Sequence, residues 1–231
     1  MGWWFDWRSA ERTKQLRDEF NIRLFIETGT FRGLNIYYWS YHFPQVWGVE
    51  KDPNALDISQ LRIRDRGNIS LFAESSPDFF RHLKVISPTP ILFYLDAHFY
   101  DPTLPLNHRW VVKDELAAIG DYPNCLILIH DFATPGCGHL IYDGQPLDFS
   151  VVQEELRQIN SNFCYYTNTR DGCAVHTIES IINIPGLEPN MDTLETISYH
   201  NTDRLKYRGI LYALPRQLSH PEKFSLISLC D

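Results

Sequence analysis

Residues 24–33 read Leu-Phe-Ile-Glu-Thr-Gly-Thr-Phe-Arg-Gly, and this stretch decides the fold of the 231-residue chain. Its apolar residues end at the acid Glu27, and a turn containing Gly29 and Gly33 follows. An apolar run that enters a glycine turn and leaves with a helical pattern predicts a strand, a loop and a helix. Glycine allows the backbone to approach a ligand closely, and the N–H groups at the start of a helix can bind that ligand. The stretch therefore predicts a nucleotide-type binding turn, although it lacks the third glycine of the G-x-G-x-x-G pattern.

The same alternation of apolar runs and helical patterns continues along the chain. We predict strands at residues 23–27, 45–50, 68–73, 90–95 and 125–129, with helical patterns between them. Such uninterrupted apolar strands are typical of a parallel sheet that is covered on both faces. The predicted fold class is therefore α/β, with a Rossmann-like parallel sheet and helices on both of its faces.

The end of the chain follows a different pattern. Residues 163–169 and 173–178 are predicted strands joined by Arg-Asp-Gly, and Asp-Gly is a strong signal for a hairpin turn. We therefore expect an antiparallel terminal hairpin to close the sheet. We assign residues 1–179 to one domain and residues 180–231 to a C-terminal extension, packed on the domain or used in oligomerisation. Within this extension only residues 209–214 have a strand-like pattern.

Composition excludes some classes of partner. A formal net charge of −8 argues against a generic nucleic-acid-binding protein, which usually has a basic face. No apolar run is long enough for a transmembrane helix, so we expect no membrane partner. The five cysteines include no C-x-x-C pair, and the N-terminus lacks the apolar run of a signal peptide. We therefore expect a cytoplasmic protein with reduced thiols.

The chemistry is expected where the parallel strands end, because ligands of open α/β sheets bind at the carboxyl ends of the strands. Glu50 lies 21 residues after Gly29, at the end of the second strand, where an acid can accept hydrogen bonds from ribose hydroxyls. Glu74 ends the third strand and could accept a hydrogen bond from an adenine amino group. Each of the five strand ends carries an acid or a histidine: Glu27, Glu50, Glu74-Ser75, Asp96 with His98, and His130-Asp131.

The order and spacing of five motifs resemble those of class I S-adenosylmethionine-dependent methyltransferases. The motifs are Glu-Thr-Gly-Thr-Phe-Arg-Gly, Val-Glu-Lys-Asp-Pro, Ala-Glu-Ser-Ser, Leu-Asp-Ala-His and Ile-His-Asp-Phe, and the resemblance covers roughly residues 20–180. It implies S-adenosylmethionine as cofactor and a sheet closed by an antiparallel seventh strand. It also implies cofactor-binding residues: Glu27, Gly29, Thr30 and Gly33 around the methionine part, Glu50 at the ribose, Glu74 and Ser75 at the adenine, and Asp96 at the sulfonium. Glu74 stands where the family usually has Asp.

Within that class, Asp96-Ala-His98 and His130-Asp131 resemble the macrocin O-methyltransferase and catechol-type branch. That resemblance implies a metal held by Asp96, His130 and Asp131, with His130 at a place usually taken by Asp. Magnesium prefers oxygen ligands, whereas a set that includes histidine suits zinc, manganese or iron better. His98 could be a further ligand or a general base.

The expected reaction is methyl transfer from S-adenosylmethionine to a small-molecule acceptor at a hydroxyl group. Asp96, His98 and His130 are the candidate catalytic residues, because a histidine can remove the hydroxyl proton near neutral pH. The acceptor would enter over the loops at residues 99–110 and 132–147.

Two other functions are compatible with the residues. A metal-dependent nucleotide-sugar glycosyltransferase could use Asp96-Ala-His98 in place of a D-x-D motif, but Gly29 and Glu50 would then have no role. A non-catalytic cofactor-binding module is the other alternative, because a fold does not fix a function.

Overall fold

The computed structural model describes residues 7–83, 89–97, 103–105, 110–120, 122, 124–168 and 209–229. These residues form one mixed sheet of eight strands, with helices on both faces, and a small separate hairpin. The helices are α1 (Trp7–Phe20), α2 (Leu34–Trp39), α3 (Pro53–Ile63), α4 (Ser76–His82), α5 (Val111–Ile119), α6 (Phe149–Ile159) and a 3-10 turn (Pro221–Phe224). The strands are β1 (Leu24–Thr28), β2 (Gln45–Val49), β3 (Ile69–Phe72), β4 (Ile91–Leu95), β5 (Cys125–His130), β6 (Ile141–Tyr142), β7 (Gln145–Pro146), β8 (Cys164–Asn168), β9 (Ile210–Leu214) and β10 (Leu226–Ser228).

The order of strands in the main sheet is β10-β8-β9-β5-β4-β1-β2-β3. Strands β1 to β5 are all parallel, which confirms the predicted Rossmann-like sheet. Thr28 is in register with Val49 on one side and with Leu95 on the other, and Leu95 is in register with Ile129. The residues that follow these strands therefore lie along one edge of the sheet.

The antiparallel closure of the sheet is also confirmed, but a different segment supplies it. The sequence places the antiparallel partner of β8 at residues 173–178, which lie outside the described residues. In the structure β9 lies between β5 and β8 and runs antiparallel to both. Residues 209–229 therefore contribute β9 and β10 to the main sheet. A role of residues 180–231 in oligomerisation stays a prediction.

Side chains of successive strand residues pack into two separate cores. Phe25 and Leu92 belong to the core that faces α1 and α2, whereas Ile26 and Phe93 belong to the core that faces α4, α5 and α6. All four side chains are fully buried. Burial of each such side chain contributes about 1.5–3 kcal/mol. The uninterrupted apolar strands thus cover both faces of the sheet, as a parallel sheet between helices requires.

Helix capping explains the start of α3, which follows the end of β2. Asp52 precedes α3 and accepts a hydrogen bond from Asn54 N, and proline occupies the first turn of the helix. The helix ends at Ile63. No helix in the described ranges has both the length and the apolar character needed to cross a bilayer.

The loop of residues 131–148 connects β5 to α6 and is held against the start of β9. Phe132 N donates to Gly209 O at 2.9 Å, and Gly209 N donates to Gly138 O at 3.1 Å. Ala133 N donates to Leu147 O at 2.7 Å and so fastens the two ends of the loop together. This network fixes the backbone next to His130 at the edge where the parallel strands end.

We expect Gly209→Ala to lower the free energy of unfolding by about 2 kcal/mol or more, because overpacking is costly at such a site. A Cβ at residue 209 would lie 1.9 Å from Phe132 O, so the loop and β9 would have to separate. Gly67→Ala is the matched control, because nothing lies within 4 Å of a Cβ there. Equal unfolding midpoints in urea for both variants would contradict this role of Gly209.

Candidate active site

The structure brings together four of the five predicted strand-end groups. Phe31 N, in the glycine turn after β1, donates to Glu50 Oε2 at 2.7 Å. His130 at the end of β5 lies 2.9 Å from Asp96 after β4, measured from Nδ1 to Oδ1. Glu27 is close enough to both Asp96 and Glu50 for their charges to raise its pKa. Because β2, β1, β4 and β5 are neighbours in the sheet, these groups lie along one acidic rim.

The two glycines of the turn allow close packing within the chain. Gly29 has φ 69°, and a Cβ on it would lie 2.7 Å from Asp96 O and 2.8 Å from Ala97 Cα. Gly33 has φ 73° and precedes α2, where a Cβ would lie 3.0 Å from the Ser59 side chain. The left-handed conformation favours glycine at both positions. Thr30 between them is buried, and its N–H donates to Val49 O at 3.3 Å.

Glu27 is the most deeply buried acid of the rim, with 2% of its surface exposed. Asn35 Nδ2 donates to its Oε1, whereas Oε2 has no hydrogen-bond partner among the described residues. Burial raises the pKa of Glu27 well above its usual value, and the charges of Asp96 and Glu50 raise it further, against the opposing effect of the Asn35 hydrogen bond. A positive group beside Glu27 would therefore be strongly favoured.

Glu50 fastens the glycine turn to the start of α3. Its Oε2 accepts from Phe31 N at 2.7 Å, and its Oε1 accepts from Asp52 N at 2.9 Å. Phe31 has φ 48°, an uncommon conformation for a bulky residue, and the hydrogen bond to Glu50 helps to hold it. Each carboxylate oxygen can accept a second hydrogen bond, so the ribose role of Glu50 stays a prediction that this geometry permits.

Glu74 and Ser75 lie at the end of β3, away from the hydrogen-bonded part of the rim. The Glu74 side chain is 33% exposed and lies 3.7 Å from His82 Nδ1. Ser75 caps α4: its hydroxyl accepts from Asp78 N at 3.4 Å and donates to Asp78 Oδ2 at 2.6 Å. We did not identify this capping role from the sequence, although serine followed by an acid three residues later is a known signal for it. The adenine contacts of both residues stay predictions.

Asp96, His130 and Asp131 form a compact group of potential metal ligands. The ligand atoms of the three residues lie within 4.8 Å of one another, and His130 Nδ1 is 2.9 Å from Asp96 Oδ1 and 3.7 Å from Asp131 Oδ1. Asp131 has φ 56°, which Asp tolerates better than most residues, and this conformation places its carboxylate beside His130. Two carboxylates and one imidazole fit a divalent ion such as manganese or zinc. His98, the other predicted histidine, lies outside the described residues.

An aromatic pair borders the rim on the side of the loop of residues 131–148. The rings of Trp110 and Tyr142 have centroids 4.3 Å apart and are tilted by 34°. Burial raises the pKa of Tyr142 to about 12, and the charge of Asp131 adds to this shift. The predicted acceptor loop thus contributes an aromatic surface next to the candidate metal ligands.

Glu115 is a buried acid that we did not identify from the sequence. It lies on α5 with 1% of its surface exposed. Burial raises its pKa to about 8, and the charge of Asp96 contributes to the rise. The sequence did contain a signal for the burial of Glu115, because its spacing from Val112 and Ile119 places it on the apolar face of the helix.

Solved structures of low sequence identity have a similar fold. An rRNA methylase from Streptococcus thermophilus is 10% identical, with a TM-score of 0.50 over 90% of this chain and 97% of that chain. A Streptococcus mutans protein named as a methyltransferase was solved in complex with SAH and is 11% identical. Its TM-score is 0.48, over 89% of this chain and 97% of that chain. Precorrin 8w decarboxylase from Methanobacterium thermoautotrophicum is 10% identical, with a TM-score of 0.46 over 89% of each chain.

Comparison with family models and with curated proteins gives no match. At 10% identity, the likeness to the rRNA methylase shows a shared fold and does not assign a substrate. The chain therefore has the Rossmann-like fold of a solved methyltransferase, with an acidic rim at the carboxyl ends of its parallel strands.

We expect the protein to lose stability as the pH rises from about 4.5 to about 8, since Glu115 keeps its proton longer in the folded state than in the unfolded state. The raised pKa of Glu27 makes stability fall with pH in the same way, so the slope of the unfolding free energy against pH must be compared between wild type and Glu115→Gln. We expect this slope to be smaller in the variant by up to about 1.4 kcal/mol per pH unit.

The measurement is the urea unfolding free energy between pH 5 and pH 8. Glu154→Gln, at an exposed position on α6, is the control and should keep the wild-type slope. An unchanged slope in Glu115→Gln would show that Glu115 does not retain its proton in the folded protein.

Proposed function

We propose that this protein is a methyltransferase that transfers a methyl group from S-adenosylmethionine to a hydroxyl of a small-molecule acceptor. The observation that carries the proposal is the concentration of carboxyl groups beside the glycine turn. Glu27, Glu50, Asp96 and Asp131 come from four neighbouring strand ends and lie along one rim. A cluster of one sign of charge in a partly buried site attracts a ligand of the opposite charge.

S-adenosylmethionine suits this rim, because it combines a positive sulfonium and a positive ammonium with a ribose and an adenine. When bound, it supplies the methyl group for an in-line displacement that depends mainly on positioning. Glu27 has a buried oxygen, Oε2, without a partner among the described residues, so it can accept a hydrogen bond from the ammonium. We assign Gly29, Thr30 and Gly33 to the same end of the cofactor.

The remaining cofactor contacts follow the order of the strands across the sheet. We assign Glu50, after β2, to the ribose hydroxyls, and Glu74 with Ser75, after β3, to the adenine. Asp96, after β4, lies on the opposite side of the turn from Glu50 and faces the sulfonium. This order matches the strand order β4-β1-β2-β3 in the sheet, so the cofactor would lie across these four strand ends.

Removal of the acceptor proton is assigned to the group formed by Asp96, His130 and Asp131. With Nδ1–H of His130 donating to Asp96, the imidazole is held in one tautomer and one orientation. If the group instead holds a divalent metal, the metal would lower the pKa of a bound acceptor hydroxyl. In either case the acceptor would lie beside the ring of Tyr142, which is close enough to Asp131 for the two groups to interact.

The glycosyltransferase alternative is less well supported, because it gives no role to Glu27 or to the close packing at Gly29. A non-catalytic module that binds the cofactor would use the same rim. Only this second alternative predicts cofactor binding without methyl transfer, so turnover measurements separate it from the proposed function.

We expect Glu50→Ala to weaken S-adenosylmethionine binding at least about ten-fold, because charge-assisted hydrogen bonds to the ribose and the anchoring of the turn are both lost. Isothermal titration calorimetry on the purified protein measures this effect. Asp57→Ala, which removes an exposed acid from the neighbouring α3, is the control and should bind like wild type. Equal affinity of the Glu50 variant and the control would remove the ribose assignment.

We expect Asp131→Asn to lower the manganese or zinc content of the protein to less than about half after loading and desalting, because an amide is a much poorer ligand than a carboxylate. Elemental analysis measures the metal content. Asp143→Asn changes an exposed acid of the same loop and should retain the wild-type content. If the wild type retains no metal, or the two variants retain equal amounts, the metal assignment is wrong and His130 is left as the base.

A further inference from the structure

Asn35 is a buried amide on α2 to which the function proposed above gives no role. It lies in the first turn of the helix, directly after the glycine turn, with 8% of its surface exposed. Asparagine is a poor helix former, and a buried amide is costly unless it is hydrogen-bonded. The other buried side chains of this helix are those of Leu34, Ile36, Tyr38 and Trp39. The presence of an amide among them therefore needs a physical reason.

The hydrogen bond of Asn35 goes to Glu27, the most deeply buried acid of the rim. The Nδ2 group of Asn35 donates to Glu27 Oε1, and the bond is buried. Glu27 lies two residues after Phe25 on β1, so its side chain lies on the same face of the sheet as that of Phe25, which α1 and α2 cover. Asn35 therefore joins the end of β1 to the start of α2 across the glycine turn.

This bond leaves the other oxygen of Glu27 for a ligand. Glu27 Oε2 is buried and has no hydrogen-bond partner among the described residues. Because a carboxyl group is planar, a donor that holds Oε1 also restricts the direction in which Oε2 faces. The bond from Asn35 favours the charged form of Glu27, and so lowers its pKa against the effect of burial. The amide thus orients the carboxylate and favours its negative charge.

We propose that Asn35 is a positioning residue that orients Glu27 toward the positive amino group at the methionine end of the cofactor. The proposal rests on the proposed function, because it concerns the same site. In this role Asn35 acts through Glu27 alone. It therefore sets the preference of the site for ligands that have this amino group, and leaves the contacts to the adenine and the ribose unchanged.

Two ligands that differ at the methionine end test the proposal. S-adenosylhomocysteine has the amino group, whereas 5′-methylthioadenosine has the same adenine, ribose and thioether but lacks it. Asn35→Leu keeps the approximate volume of the side chain and removes the donor. In titration calorimetry at pH 7, this variant should bind S-adenosylhomocysteine about ten-fold more weakly or worse, because Glu27 loses the bond that orients it. Its affinity for 5′-methylthioadenosine should stay within about three-fold of wild type.

Gln60→Ala is the matched control for this titration. It removes an exposed amide from the neighbouring α3 and should bind both ligands like wild type. If Asn35→Leu does not fold, Asn35→Ala replaces it, because this variant also removes the donor and introduces a smaller side chain. The same results are expected for it.

Glu27→Gln gives a second and independent test. It removes the charge that Asn35 is proposed to orient, and so it should weaken the binding of S-adenosylhomocysteine in the wild-type background. Asn35→Leu should add little to this effect in the double variant, because both changes act on the same contact. A full additional loss of affinity would show that Asn35 acts through another group, and would overturn the proposal.

The outcomes separate this proposal from the proposed function. If wild type binds S-adenosylhomocysteine, an unchanged affinity of the folded Asn35→Leu variant would overturn the positioning role alone. Equal weakening of both ligands would also overturn it, because a general distortion of the site does not distinguish a ligand with the amino group from one without it. If wild type binds neither ligand, the proposed function fails and the positioning role fails with it.

Discussion

The close approach of β1 and β4 at Gly29 is the constraint on which the rest of the site depends. A Cβ at this position would lie 2.7 Å from the carbonyl oxygen of Asp96, and the backbone there has φ 69°. Glycine is therefore favoured both by the lack of space for a side chain and by the left-handed backbone conformation. This contact places the turn after β1 directly against the turn after β4. As a result Glu27 lies close to Asp96, and the rim becomes one site instead of a row of separate acids.

The concentration of acids at the rim is unfavourable in the free protein. Glu27 is buried beside the charges of Asp96 and Glu50, and its pKa rises accordingly. Groups whose pKa is strongly shifted by burial and by specific neighbours are concentrated at functional sites. A ligand with positive charge would offset the repulsion, whereas a neutral or anionic ligand would not. The cationic cofactor proposed above would suit such a rim, and its binding would lower the raised pKa of Glu27.

The parallel part of the fold could be predicted from the sequence, because each strand from β1 to β5 is a local apolar run followed by a turn and a helical pattern. The acidic rim could then be predicted as well, because the residues that follow parallel strands lie at the same edge of the sheet. The position of β9 could not be predicted, since residues 210–214 pair with β5 and β8 across a long stretch of chain and no local pattern encodes such a pairing. Glu115 was overlooked because helical spacing shows that a face is buried, but not which polar groups of other elements it meets there.

The most direct test of the account is calorimetric titration of the wild-type protein with S-adenosylmethionine in two buffers of different ionisation enthalpy. We expect binding with a dissociation constant on the order of 1–100 µM. We also expect proton release, because the positive cofactor lowers the raised pKa of Glu27. Binding without proton release would remove Glu27 from the cofactor site. The absence of binding in both buffers would contradict the central claim that the acidic rim is a site for this cofactor.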